Sequence, residues 1–86
     1  MTEATEVTED RLLDARRLMC PMPVIKAGRE LMNMEVGQVL KVIVSDRTAR
    51  TDFPAWVEDT GNELVSSAVW PDGSFVFVVR KGAGEE

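Results

Sequence analysis

Val39-Leu40-Lys41-Val42-Ile43-Val44 is apolar at every position except Lys41 and mostly β-branched, the pattern of a strand inside a sheet, covered on part of both faces. What flanks it sets the fold. On its N-terminal side, Val24, Ala27, Gly28 and Leu31 recur at helical spacing between Pro21 and about Met34, while Lys26, Arg29, Glu30 and Asn33 fall off that stripe. This predicts an amphipathic helix, followed by a turn at Gly37. Gly28 inside it costs about 1 kcal/mol against Ala, so it is expected to mark a close helix-to-sheet approach. Before the helix, Arg11-Leu12-Leu13-Asp14-Ala15 reads as a short strand.

On the C-terminal side comes a polar turn, Ser45-Asp46-Arg47-Thr48, and then Phe53, Trp56, Val57 and Thr60 at helical spacing. Pro54 suits a first helical turn and Gly61-Asn62 a stop near Thr60, while the start stays open, because Thr48 to Asp52 fits a preceding helical turn broken at Pro54. Glu63 to Trp70 and Phe75 to Arg80 are β-rich runs joined across Pro71-Asp72-Gly73-Ser74, an antiparallel hairpin. The order is βαβαββ. It predicts an α+β two-layer sandwich with a four-stranded mixed sheet and two helices on one face.

Eighty-six residues support one core and no deep enclosed active site. No run approaches the roughly 18 apolar residues of a membrane span, and the first residues are acidic where a signal peptide is basic, so the cytoplasm is expected. Residues 1–9 read as a disordered acidic leader, 10–82 as the functional domain and 83–86 as a flexible tail. One cysteine and no histidine exclude an internal disulfide, the usual zinc sites and the Ser-His and Cys-His arrangements; neither metal nor cofactor is expected. A net charge of −5 disfavours direct nucleic-acid binding, which needs concentrated positive charge. The balance is uneven: residues 10–50 hold eight Lys/Arg against five acids, either a solvated surface or a patch for an acidic partner.

Cys20-Pro21-Met22-Pro23 stands at the junction of the first strand and first helix. A helix N-terminus favours thiolate over thiol, and the thiolate is the nucleophile. Pro21 and Pro23 lack N–H groups, so near the sulfur only Met22 and Val24 onward can donate from the backbone. The opposite reading is a small buried cysteine behind ordinary helix-initiating prolines. Spacing alone leaves both open.

Leu13-Asp14-Ala15, Leu18 and Cys20-Pro21-Met22-Pro23-Val24 resemble the Leu-Asp-x-x-Gly-Leu-x-Cys-Pro-x-Pro signature of the TusA/SirA family of sulfur carriers. Asp46 and Ala49, then Asp52-Phe53-Pro54-Ala55-Trp56, then Arg80-Lys81-Gly82 extend the resemblance over about residues 12–82. Arg17 stands where the family usually has Gly, and Arg47 where Pro commonly follows the aspartate. A Gly used there for positive φ would make Arg17 a strained substitution. The resemblance implies that Cys20 accepts sulfur as a persulfide from a cysteine desulfurase or a rhodanese. It then passes the sulfur to a cysteine of a relay protein, for tRNA thiolation, molybdenum-cofactor supply or sulfur oxidation.

On this reading Pro21, Met22, Pro23 and Val24 support the sulfur, and Arg16, Arg17, Lys26 and Arg29 are candidate docking charges. Met19 and Met22 flank the cysteine as apolar shelter and docking ridge, whereas Met32 and Met34 read as core filler and Trp56 and Trp70 as core or rim aromatics. Asp14, Asp46 and Asp52 are expected to cap turns or helices. If Phe75, Phe77 and Val79 face the core, then Val76, Val78, Arg80, Val39, Lys41 and Ile43 share the outer face, an apolar surface expected to support weak homodimerisation or a partner. The rival is a non-catalytic regulatory or interaction module of the same fold.

Overall fold

The computed structural model describes residues 9–19 and 21–83. The leader expected over residues 1–9 and the tail expected over 83–86 thus fall largely outside the described residues, and so does Cys20. Six elements follow in the order β1 (Arg11–Ala15), α1 (Met22–Met32), β2 (Val39–Val44), α2 (Arg47–Asp59), β3 (Glu63–Val69) and β4 (Phe75–Arg80). The sheet runs β1-β2-β4-β3, with β1 and β2 parallel and the other pairs antiparallel. It is the expected α+β sandwich.

The core lies where strand alternation meets the helical stripes. Leu40, Val42 and Val44 of β2 and Phe77 and Val79 of β4 are buried together with Ala27 and Leu31 of α1 and Ala49, Phe53 and Val57 of α2. Phe53 is fully buried, its ring 4.9 Å from Phe77 and 5.5 Å from Trp56. Deleting such a ring typically costs about 3–5 kcal/mol.

One open boundary is resolved and three expectations are corrected. Helix α2 begins at Arg47, seven residues before Pro54, because Asp46 caps it by accepting a bond from the Thr48 N–H and the Ala49, Phe53, Val57 stripe is buried. That burial offsets an interior proline worth about 3 kcal/mol. Asp52 therefore lies inside the helix, exposed, and caps nothing there. Gly28 approaches the other helix and not the sheet: a Cβ there would meet Trp56 Cζ2 at 3.4 Å. Met32 is 80% exposed, since it sits one residue past the buried Leu31, while Met34 is core.

The outer sheet face differs from the open apolar surface expected of it. Val39, Ile43 and Val76 are already buried, the Lys41 ammonium lies 5.7 Å over the Trp70 ring, and Arg80 pairs with Glu63 at 2.7 Å. Among the described residues of that face Leu12 is the large apolar side chain left exposed, so the open apolar surface is narrower than expected.

The two ends of the sheet are held differently. At one end Gly37 N–H donates to the Lys81 carbonyl, Lys81 N–H to the Gln38 carbonyl, and Gly82 N–H to Asn62 Oδ1. Gly82 packs so closely that a Cβ would lie 1.9 Å from the Gly61 carbonyl oxygen. Gly28→Ala is expected to stabilise the protein by about 0.5–1 kcal/mol, since it gains helix propensity at an ordinary contact distance. Gly82→Ala is expected to destabilise it by more than about 1 kcal/mol. Urea denaturation of both variants checks this pair, and equal signs for the two would contradict it.

Candidate functional site

The other end of the sheet gathers the C-termini of β1 and β2, the start of α2 and the hairpin between β3 and β4. The chain leaves β1 at Ala15, which is fully buried, and turns at Arg16-Arg17, with Leu18 N–H donating to the Ala15 carbonyl. Arg16 is tied down at several atoms. Its Nε and Nη2 donate to the two oxygens of Asp14 at 2.9 and 2.7 Å, and its own N–H donates to Asp14 Oδ1 at 3.2 Å. The Ser45 hydroxyl donates to its carbonyl. Its Nη1 lies 3.8 Å from Asp72, whose carboxylate accepts from the Ser74 N–H in the hairpin turn. One side chain thereby joins the turn before position 20 to β1 and the hairpin, and its backbone joins it to the loop after β2.

The fork explains the local electrostatics. The side-chain and backbone bonds from Arg16 hold the Asp14 carboxyl down at about 2, so it stays anionic at any physiological pH. Asp72 is lowered chiefly by the bond from Ser74. Arg17, expected to be strained if it replaced a positive-φ glycine, is not: among the described residues no non-glycine has positive φ.

Helix α1 starts at Met22 with Pro21 in the N-cap position. Met22 N–H donates to the Met19 carbonyl at 2.8 Å and Ile25 N–H to the Pro21 carbonyl at 3.1 Å, while Pro23 has no N–H. Of the first four helical residues, only Val24 keeps an N–H that these bonds do not use. Met22, read from the sequence as a second donor to the sulfur, spends its N–H closing the turn. The two prolines also differ. Pro21 is exposed, whereas Pro23 is fully buried among the core side chains.

Helix α1 has a groove on each side. One, of about 480 Å³, is lined by Leu13, Asp14, Arg16, Arg17, Leu18 and Lys26. The other, of about 720 Å³, lies towards α2 and the chain after β4, with Ile25, Arg29, Met32, Val36 and Trp56 among its lining. Arg16, Arg17 and Lys26 thus share one groove, Arg29 lies in the other, and Met19 stands 75% exposed next to position 20. Sequence reading missed the Arg16 fork and the second groove. The groove left a signal in Ile25, Arg29, Met32 and Val36, which form a second stripe at near-helical spacing; the fork left only an Asp-x-Arg spacing at a strand end.

Comparison with known proteins places the chain in a family. A family model described as "Sulfurtransferase TusA" matches residues 11–81. The chain is 43% identical to the sulfur carrier protein TusA of Allochromatium vinosum, over 84% of this chain and 93% of that one. It is 37% identical to the protein of the same name from Pseudomonas putida strain F1, over 92% and 98%. The crystal structure of a SirA-like protein from Desulfitobacterium hafniense superposes with a TM-score of 0.73 at 28% identity, over 87% of this chain and 99% of that one.

Asp14 supplies a pH test of the fork. Its folded pKa of about 2 lies below the unfolded value near 3.9, so its contribution to stability is complete above about pH 4 and is lost as pH falls towards 2. Asp14→Asn is expected to lower the urea midpoint modestly at pH 7, since both partners are exposed. The gap between the two proteins should close as pH falls from about 4 to about 2. A gap that does not depend on pH in that range would show that the carboxylate's charge is not what holds Arg16.

Proposed function

The chain belongs to the TusA family of sulfur carriers, and from that membership we propose that Cys20 is the residue that carries the sulfur, as a persulfide. The observation that supports this most is that the family match over residues 11–81 brackets the chain's one cysteine, which directly precedes the first turn of α1. On this reading residues 10–82 are the carrier domain. A donor persulfide, on a cysteine desulfurase or a rhodanese, is attacked at its outer sulfur by the Cys20 thiolate. The donor's S–S bond breaks, its own thiolate leaves, and Cys20 holds the extra sulfur. Delivery repeats the exchange, with a relay protein's thiolate attacking the outer sulfur and Cys20 leaving as thiolate. With one cysteine in the chain, the acceptor thiol comes from another molecule.

Each supporting residue has a role in this scheme. Pro21 and Pro23 restrict the turn and donate nothing to the sulfur; the Val24 N–H and the positive end of α1 favour the thiolate. Met19 and Met22, both exposed, give the persulfide an apolar rim. Arg17, Lys26 and Arg29 are the docking charges, and Arg16 orders the turn through Asp14. A reactive thiol that must stay reduced suits the cytoplasm; among the described residues no helix is long and apolar enough to cross a membrane. tRNA thiolation, molybdenum-cofactor supply and sulfur oxidation are the destinations this chemistry serves.

Incubated with a cysteine desulfurase and cysteine, the protein is expected to gain one sulfur atom in intact mass and to lose it on reduction. Cys20→Ser is expected to gain none. The same reducible gain in Cys20→Ser, or none in the wild type with either donor class, would favour an interaction module in which Cys20 only packs.

A further inference from the structure

The groove on the β1 side of α1 carries an asymmetry that the overall charge conceals. Of its three cations, Arg16 is neutralised by the two-pronged bond to Asp14, and its remaining Nη1 faces Asp72. Arg17 and Lys26 are both exposed and make no ion pair among the described residues. They line the groove from opposite sides of position 20, Arg17 in the turn before it and Lys26 on the first turns of α1 after it. The rest of the lining is the apolar Leu13 and Leu18 and the Asp14–Arg16 pair, whose charges offset each other.

Resting on the carrier reading, we propose that this groove selects the sulfur-exchanging partner by receiving an acidic segment beside that partner's reactive cysteine, with Arg17 and Lys26 each meeting a carboxylate. Two open cations across about 480 Å³ match an extended peptide with carboxylates a few residues apart. A protein of net charge −5 repels a nucleic-acid backbone overall, and two local cations fall short of the basic surface a phosphate chain needs. Long-range repulsion of acidic partners in general, with local attraction in this groove, favours encounters in the orientation that brings the two sulfurs together.

The test uses model peptides and the full chain. Ellman's reagent converts Cys20 to its mixed disulfide with thionitrobenzoate. A peptide thiolate then attacks the Cys20 sulfur, the S–S bond to thionitrobenzoate breaks, and the coloured thionitrobenzoate anion leaves. The peptides are Glu-Glu-Gly-Cys-Gly and Lys-Lys-Gly-Cys-Gly. Each rate is divided by that peptide's rate with the mixed disulfide of N-acetylcysteinamide, which cancels the peptide's own thiol pKa.

The acidic peptide is expected to react about three- to tenfold faster than the basic one at low salt, with the preference shrinking as salt is added. Arg17→Glu and Lys26→Glu should each reverse it, whereas Arg50→Glu, an equal change of net charge on α2, should keep the wild-type order. Wild-type rates that are equal or favour the basic peptide would overturn the docking site. So would an Arg50→Glu effect as large as that of Arg17→Glu, or loss of the preference on adding an oligothymidylate, which would assign the groove to nucleic acid. A Cys20 that does not react with Ellman's reagent in the native protein would overturn the carrier reading itself, and this proposal with it.

Discussion

The parallel pairing of β1 with β2, from Arg11 opposite Leu40 to Ala15 opposite Val44, is the constraint from which the site follows. Two parallel neighbours cannot be joined by a tight turn; the chain must cross the sheet, and α1 is that crossing. The crossing brings the chain out of β1 and into the start of a helix at the end of the sheet where β2 also finishes. Because β4 runs antiparallel to β2, with Phe75 opposite Val44, the hairpin turn arrives at the same end. Three connections meet there, and Arg16 bonds or approaches all of them through Asp14, Ser45 and Asp72. The turn preceding the cysteine is therefore braced by long-range contacts and does not depend on local propensity alone.

Charge is distributed to similar effect. The chain is acidic overall, yet the carboxylates nearest the turn are occupied: Asp14 by Arg16, Asp72 by the Ser74 N–H, and Asp46 at the α2 cap. Among the described residues Arg17 and Lys26, which flank position 20 in the chain, make no ion pair, and the α1 N-terminus has no acidic residue in its first turn. Of the exposed large apolar side chains, Met22, Ile25 and Met32 lie on α1 and Met19 just before it, whereas on the outer sheet face Val39, Ile43 and Val76 are buried and Leu12 is exposed.

Most of the fold was legible because its signals are local and strong. The β-branched run at Val39–Val44 and the turn at Pro71–Ser74 give β2 and the hairpin directly, and the Ala27, Leu31 stripe gives α1. Helix α2 was harder to read because Pro54 looks like a beginning, and only the burial of Ala49 with Phe53 and Val57 shows that the helix runs through it. Gly28 was assigned to the sheet because one-dimensional reading cannot see that Trp56 of the second helix reaches it. Of the site, the Cys-Pro-x-Pro stretch was visible as chemistry; the unequal burial of the two prolines and the use of the Met22 N–H by Met19 were not. Those depend on how tightly the turn closes. Arg16 was grouped with Arg17 for the same reason, since a sequence shows charge and does not show which charges are already paired.

The central claim is that this turn presents Cys20 as a thiolate, through a restricted donor set and the helix end, so that it can exchange sulfur. It is tested most directly by the pH dependence of Cys20 alkylation with iodoacetamide in the native protein, beside Pro21→Ala, whose proline is exposed and can be removed without opening the core. The account predicts a wild-type midpoint below the free-thiol value of about 8.5, and a midpoint in Pro21→Ala displaced by more than its thermal melt explains. A wild-type midpoint at or above that value, or a Pro21→Ala variant altered only in melting temperature, would contradict it and reduce the motif to a helix-starting signal.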